Sequence, residues 1–367
     1  MEKVSDESKI ILGVCRFNNI NGVTCYMNSI LHILQQVPLF ADYIFTSSFA
    51  KIIQNKTFND EEKIKKFVCY ELFRLFSVSM TKDDMTITPT SFRKCIGDKN
   101  DIWSENKHQD SQEFLSFLIT TLEEEIGQEM DFIPGRLDKI NNVKIIGILA
   151  SMAWKQFQYK EFSPLKEMFN GMSMMITKCN YCSNVNNNFE PFTTLQVAIP
   201  IKDVQKEMIK EFTLDECLDE LIKEEQLDKN NLCNCDMCGF KNKSHKTYLL
   251  WKTPKILVIH LKRFLKNGYN TQKLINNIKY PINDLDLSKY ISNDSPDKNN
   301  SKYNLVGINF HQEFGFFGTN SGHYTSMVKN RHDNNWYLFN DGIDAKKILK
   351  KEDLQNRNAY LLFYYKK

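Results

Sequence analysis

Cys25 sits in the stretch "NGVTCYMNSILHIL" (21–34), where Met27, Ile30, Leu31 and Leu34 repeat at helical spacing directly behind it. A helix start and a nearby imidazole both stabilise a thiolate, and a thiolate is the form that attacks a carbonyl. Of the seven histidines, His323 is the best placed partner. It follows the Gly-rich stretch "GTNSG" and opens the run "HYTSMVK", which with "WYLF" flanks the polar loop "NRHDNN" as a β-hairpin. A hairpin turning at 330–335 returns Asn340 and Asp341 to the side of His323. An amide or carboxylate there can hold an imidazole in one tautomer. The chemistry on offer is acyl transfer through a thioester. The competing reading is a packed thiol, since free cysteine behaves as a small hydrophobe, beside a polar hairpin end.

A second set of cysteines points to a metal. Cys179 and Cys182 form one C-x2-C, and Cys235 and Cys238 another. Four thiolates make a closed tetrahedral site for a structural zinc, with no open position for water. A compact zinc ribbon leaves about 15 to 20 residues between pairs. Residues 183–234 exceed that, so they must fold out and return. Cys233 adds a further thiol in "CNCDMC". Cys217 lies with Leu214, Leu218 and Leu221 on one helix face and reads as core. No H-E-x-x-H occurs, which argues against a zinc hydrolase.

The elements that must carry these residues change character along the chain. From about 15 to 170 the signals are helical, including amphipathic stretches at 61–80 and at 108–126, where Phe114, Phe117, Leu118 and Leu122 share a face. From about 172 strands dominate: 192–200, 255–264 and 359–365. A short helix at 212–222 has Thr213 and Glu216 in capping-box spacing, and 292–304 reads as a polar loop. Helices first and strands later predict an α+β fold. The 367 residues are 42% hydrophobic and 25% charged, a globular profile; 48 Lys and Arg against 45 Asp and Glu give no basic surface for nucleic acid. No run is long and apolar enough for a membrane span, and the N-terminus lacks a signal-peptide core. The expectation is a soluble cytoplasmic and/or nuclear protein whose ten cysteines are thiols or metal ligands.

Taken in order, five blocks resemble the ubiquitin-specific proteases. "GVTCYMNSILHIL" is similar to their cysteine box and "GHYTSMVK…WYLFNDG" to their histidine box. "HQDSQEFLSFL", "TPKILVIHLKRF" and "AYLLFYY" are similar to three further family segments. The resemblance implies a papain-like cysteine peptidase occupying 12–366 as one catalytic domain and little else. Its helical thumb would span about 12–170, its zinc-binding β fingers about 171–254 and its β palm about 255–366.

The resemblance also assigns roles. Cys25 matches the nucleophile, His323 the general base, Asn340 the third triad member and Asp341 a supporting polar residue. The substrates implied are ubiquitin and ubiquitinated proteins, with a possible activating protein partner and a structural zinc on Cys179, Cys182, Cys235 and Cys238. The segment of Asp110 and Glu113 lines the channel for ubiquitin's basic tail in the family, although both acids also suit a helix N-terminus. The stretch 311–322, ending at Gly322, reads as a mobile loop able to close over that tail, and 266–273 as a second loop. His311 matches a family histidine, as fitting for a strand end as for substrate. His260 and the "LKRF" segment read as structural. One departure stands out: the oxyanion-stabilising Asn five residues before the nucleophile is Ile20 here, flanked by Asn19 and Asn21. Asn21 is the expected substitute donor. Two alternatives stay open, a ubiquitin-binding scaffold with weak or no catalysis and a peptidase for another ubiquitin-like modifier.

Overall fold

The structure, a computed structural model, describes residues 12–81, 85–128, 146–159, 161–204, 206–207, 209–227, 232–267, 270–313 and 322–367. The fold is α+β, and the chain divides into two compact units. One comprises residues up to 126 together with 306–354; the other comprises 127–305 with 355–367.

The first unit is built round the helix Cys25–Leu34, all ten residues of which are buried. Its apolar stripe does not by itself explain such burial. The polar positions are also covered, because one side lies on the strand Gly322–Lys329 and another on the helix Ser111–Ile126. His32 shows the tightness of this packing. Its ring is stacked between Phe17 at 4.4 Å and Phe339 at 4.2 Å, and burial pushes its pKa down to about 3, so it is neutral. Gly307 is required where a strand crosses the helix, since a Cβ there would fall 2.6 Å from Ile33. Tyr26, Trp103 and Phe114 pack edge to face or tilted at 5.4–5.7 Å and join the helix Ser111–Ile126 to the Cys25 helix.

The predicted hairpin is present. Gly322–Lys329 pairs antiparallel with Trp336–Asn340, opposing Ser326 to Phe339 and Lys329 to Trp336. On its other edge it pairs with residues 307–313, and His311 opposes Tyr324. The amphipathic stretch predicted at 61–80 is broken into Glu61–Ile64 and Val68–Thr81. The reason is tertiary: the buried Glu125 carboxylate accepts the N–H groups of Val68 (3.0 Å) and Cys69 (2.9 Å) and so caps a new helix start.

The second unit holds a four-stranded antiparallel sheet of Val185–Phe192, Gly171–Cys179, Ser244–Lys252 and Glu225–Gln226, in that order. It also holds Ile256–Lys262, paired parallel with Thr194–Ala198 and antiparallel with Ala359–Lys366. The helix Leu214–Ile222 carries the predicted capping box, and Cys217 is fully buried on it. The predicted polar loop 292–304 ends early, because a strand starts at Lys302 with Tyr303 and Leu305 turned inward. Period-two burial of two large side chains outweighs the polar composition there. Arg263 of the "LKRF" segment is fully buried and donates to the carbonyls of Ala359, Leu274 and Asn276. His260 is half-buried, edge-on to Tyr360 at 4.7 Å.

Candidate active site

Residues 19–24 shape the approach to Cys25. Asn21 (φ 54°) and Gly22 (φ 74°) are successive left-handed residues that turn the chain into the helix. The Thr24 N–H then donates to Asn19 Oδ1 at 2.7 Å, and the Ile20 N–H donates to Thr24 Oγ1 at 2.8 Å. This turn fixes the first residues of the helix and leaves the N–H groups of Cys25 and Tyr26 directed at the Cys25 sulfur.

The hairpin supplies the rest. His323 Nε2 lies 2.6 Å from Asn340 Oδ1. The amide oxygen only accepts, so Nε2 carries the proton and Nδ1 is the basic nitrogen of the neutral ring. Asp341, in the left-handed region at φ 48°, turns its carboxylate back into the site. Its Oδ2 accepts from Asn19 Nδ2 at 2.9 Å and stands 3.7 Å from His323 Nε2, while its Oδ1 accepts from Asn28 Nδ2 at 2.8 Å. The main-chain N–H of Tyr324 donates to the Cys25 sulfur. Cys25, His323, Asn340 and Asp341 are thus brought together in one unit.

The electrostatics differ from the expectation for a helix start. Burial pushes the Cys25 thiol up to about 11, and the nearby Asp341 carboxylate acts in the same direction. The N–H groups of Tyr324, Tyr26 and Cys25 oppose this shift without overcoming it. Desolvation therefore outweighs the helix terminus, and the resting sulfur is a protonated thiol at neutral pH. Asp341 is also raised from the usual carboxylate range, burial being the larger cause and Asn28, His323 and Asn19 opposing it.

The other site candidates fall as follows. The Asn21 amide donates to Asn106 Oδ1 at 2.8 Å, a contact that Arg93 shares at 3.3 Å. Asp110 caps the helix Ser111–Ile126, its Oδ1 accepting from Gln112 (2.7 Å) and Glu113 (3.1 Å); its Oδ2 accepts from the Tyr324 hydroxyl at 3.1 Å. Glu113 is exposed one turn further on. Gly322 packs so closely on His311 that a Cβ would fall 1.9 Å from its Nε2. Residues 314–321 of the expected mobile loop lie outside the described residues. In the expected loop at 266–273, residues 264–267 and 270–273 pair as two antiparallel strands, and 268–269 lie outside the described residues. Sequence reasoning passed over Asn28. The signal was available, because a buried amide three residues after Cys25 on an otherwise apolar helix needs a polar partner.

The four cysteines of the second unit converge. The sulfurs of Cys179, Cys182, Cys235 and Cys238 all lie within 4.8 Å of one another, with Cys182 to Cys235 at 3.5 Å and Cys179 to Cys238 at 3.9 Å. Four thiolates about 2.3 Å from a common centre have such spacings, so the set fits a tetrahedral zinc. The strands Gly171–Cys179 and Ser244–Lys252, paired from Cys179 and Ser244 onward, bring the two knuckles together across the long insertion. Cys233 is half-buried beside them, in a two-residue strand facing Asn242.

A family model described as ubiquitin carboxyl-terminal hydrolase matches residues 15–364. The chain belongs to this family. Among curated relatives, Drosophila melanogaster ubiquitin carboxyl-terminal hydrolase Usp2 is 28% identical over 354 residues, covering 96% of this chain and 35% of that protein. Homo sapiens ubiquitin carboxyl-terminal hydrolase 2 is 28% identical over 363 residues, covering 97% of this chain and 56% of that protein. The chain therefore spans between a third and just over half the length of these two family members. In fold it is similar to a chain in the structure of the SAGA Ubp8/Sgf11/Sus1/Sgf73 DUB module bound to ubiquitin aldehyde. The TM-score is 0.69 at 22% identity, covering 98% of this chain and 71% of the matched chain.

The protonated resting thiol has a direct consequence. Alkylation of Cys25 by iodoacetamide, followed by mass spectrometry, is expected to climb with pH by about tenfold per unit from pH 6 to 9, because only the thiolate reacts. A rate that levels off below pH 8 would contradict the burial-dominated thiol.

Proposed function

We propose that this chain is a deubiquitinating cysteine peptidase that hydrolyses the peptide or isopeptide bond after the C-terminal glycine of ubiquitin. The observation that carries the reading is the Cys25–His323–Asn340 constellation, with Asp341 bonded to the segment on either side of the nucleophile. Family membership supplies the substrate class. We read 12–366 as one catalytic domain, with thumb, fingers and palm at about 12–170, 171–254 and 255–366.

The mechanism follows from the protonation states. As the Cys25 sulfur attacks the glycine carbonyl, His323 Nδ1 takes the thiol proton, and Asn340 holds the ring through Nε2. The imidazolium then protonates the departing lysine amine, leaving a thioester. Water attacks that thioester with His323 again as base, and Cys25 is released as the thiol. Asp341 favours the transient imidazolium from 3.7 Å. Main-chain N–H groups at the helix start are the donors left to the tetrahedral oxyanion. Ile20 offers no side-chain donor, and Asn21 would first have to leave Asn106. A missing donor of this kind costs about 100- to 1,000-fold in turnover. Asp110 and Glu113 are the carboxylates suited to the basic ubiquitin tail, with Gly322 beside its path.

The four-cysteine cluster holds a structural zinc in this reading, supported by the sulfur spacing. The matched module contains partner subunits in its printed description, which fits an activating protein partner here. All ten cysteines are free, which suits the reducing cytosol or nucleus. Among the described residues, no helix is long and apolar enough to cross a membrane. The second reading, a weakly active ubiquitin-binding scaffold, is favoured by one observation, the apolar residue at position 20.

Ubiquitin carrying a C-terminal electrophile is expected to label the wild type covalently and to leave Cys25→Ala unlabelled, with Ile20→Asn labelled faster than wild type. Reversible binding without labelling would favour the scaffold. Neither binding nor labelling would remove ubiquitin as the substrate. Elemental analysis is expected to find one zinc per chain, and Cys238→Ala should lose it with a lowered melting temperature. A metal-free protein of unchanged stability would contradict the zinc assignment.

A further inference from the structure

One residue touches both ends of the site. The main-chain N–H of Tyr324 donates to the Cys25 sulfur, and its phenol hydroxyl donates to Asp110 Oδ2 at 3.1 Å. Its side chain is only 5% exposed. Its ring leans on His311 at 4.7 Å, and His311 is pressed against Gly322 at the start of the same strand. The ring therefore has little room to move independently of its own backbone.

The frame around it is fixed by a separate polar chain. Ser111 Oγ donates to Asn309 Oδ1 at 2.8 Å, Asn309 Nδ2 donates to Ser29 Oγ at 2.8 Å, and Ser29 Oγ donates to the Tyr26 carbonyl at 3.0 Å. All of these side chains are buried and each bond is made. A satisfied buried network is rigid, so it sets the helix that begins at Ser111 against the Cys25 helix. The main-chain N–H groups of Gln112 and Glu113 hold the other oxygen of Asp110. A change at the outer oxygen of Asp110 thus has one route inward, through the Tyr324 hydroxyl to the Tyr324 N–H and the sulfur.

We propose that Tyr324 is a positioning residue that couples occupancy of the Asp110 carboxylate by the basic tail of the substrate to the placement of the main-chain N–H on the Cys25 sulfur. The proposal rests on the peptidase reading and adds regulation of its site: the nucleophile is adjusted when a cationic tail is in place. Linkage makes the coupling reciprocal for binding, so the state of the sulfur also affects tail affinity.

The test is Tyr324→Phe, which removes one oxygen and keeps the ring and the N–H, measured alone and in an Asp110→Asn background. Turnover of ubiquitin bearing a C-terminal fluorogenic amide is one readout. With Asp110 intact, kcat is expected to fall about tenfold with KM changed less than about twofold, roughly the worth of one hydrogen bond. In the Asp110→Asn background the same change is expected to cost less than about twofold, because interacting residues are not additive. Equal cost in both backgrounds, or an effect on KM alone, would overturn the proposal. A second readout is iodoacetamide alkylation of Cys25 without ubiquitin, expected to slow several-fold in Tyr324→Phe. A folded wild type that turns over no ubiquitin would sink the peptidase reading, and with it the tail as the effector. The alkylation rate would still decide the Tyr324 link, which an unchanged rate would overturn.

Discussion

The carboxylate of Asp341 is the constraint on which the site depends. Its two oxygens accept from Asn19 and Asn28, side chains 322 and 313 residues away in sequence, and it stands beside His323. Asn19 in turn fixes Thr24 at the start of the Cys25 helix, and Asn28 lies within that helix. One group therefore sets the nucleophile's helix against the hairpin that bears the base. The rest of the first unit serves this junction. His32 stacked between Phe17 and Phe339 makes the apolar seam, and Ser29–Asn309–Ser111 makes the polar one.

The junction carries an electrostatic cost. Enclosing a thiol and a carboxylate together disfavours ionisation of both, which is why Cys25 and Asp341 are each raised. Main-chain N–H groups and the imidazole offset the penalty only in part. A site in this balance keeps its nucleophile as a thiol until a substrate carbonyl and His323 act together. That arrangement limits reaction with adventitious electrophiles, since the thiolate is the reactive form.

Much of this was legible in the sequence because the relevant signals are local. The Cys25 helix, the hairpin through Asn340, the Thr213 capping box and the two C-x2-C knuckles each declare themselves within a few residues. The broken helix at 61–80 did not, because its interruption depends on Glu125, more than fifty residues downstream. The strand beginning at Lys302 was masked by polar composition, although Tyr303 and Leu305 carried the alternation. The raised Cys25 thiol was hidden for a similar reason. A helix start can be read from spacing, but the depth of burial around it is set by tertiary packing. Asn21 is another case: its type suits an oxyanion donor, yet the fold gives it Asn106 as a partner.

The most direct test of the central role given to Asp341 is covalent labelling by the ubiquitin electrophile in Asp341→Ala, with folding checked by circular dichroism. Two hydrogen bonds to a charged group and one charge beside the base are lost together, so labelling is expected to slow by at least about ten- to a hundredfold while the protein stays folded. Labelling of Asp341→Ala at the wild-type rate would show that the nucleophile and the base meet without this carboxylate, and the account would fail at its centre.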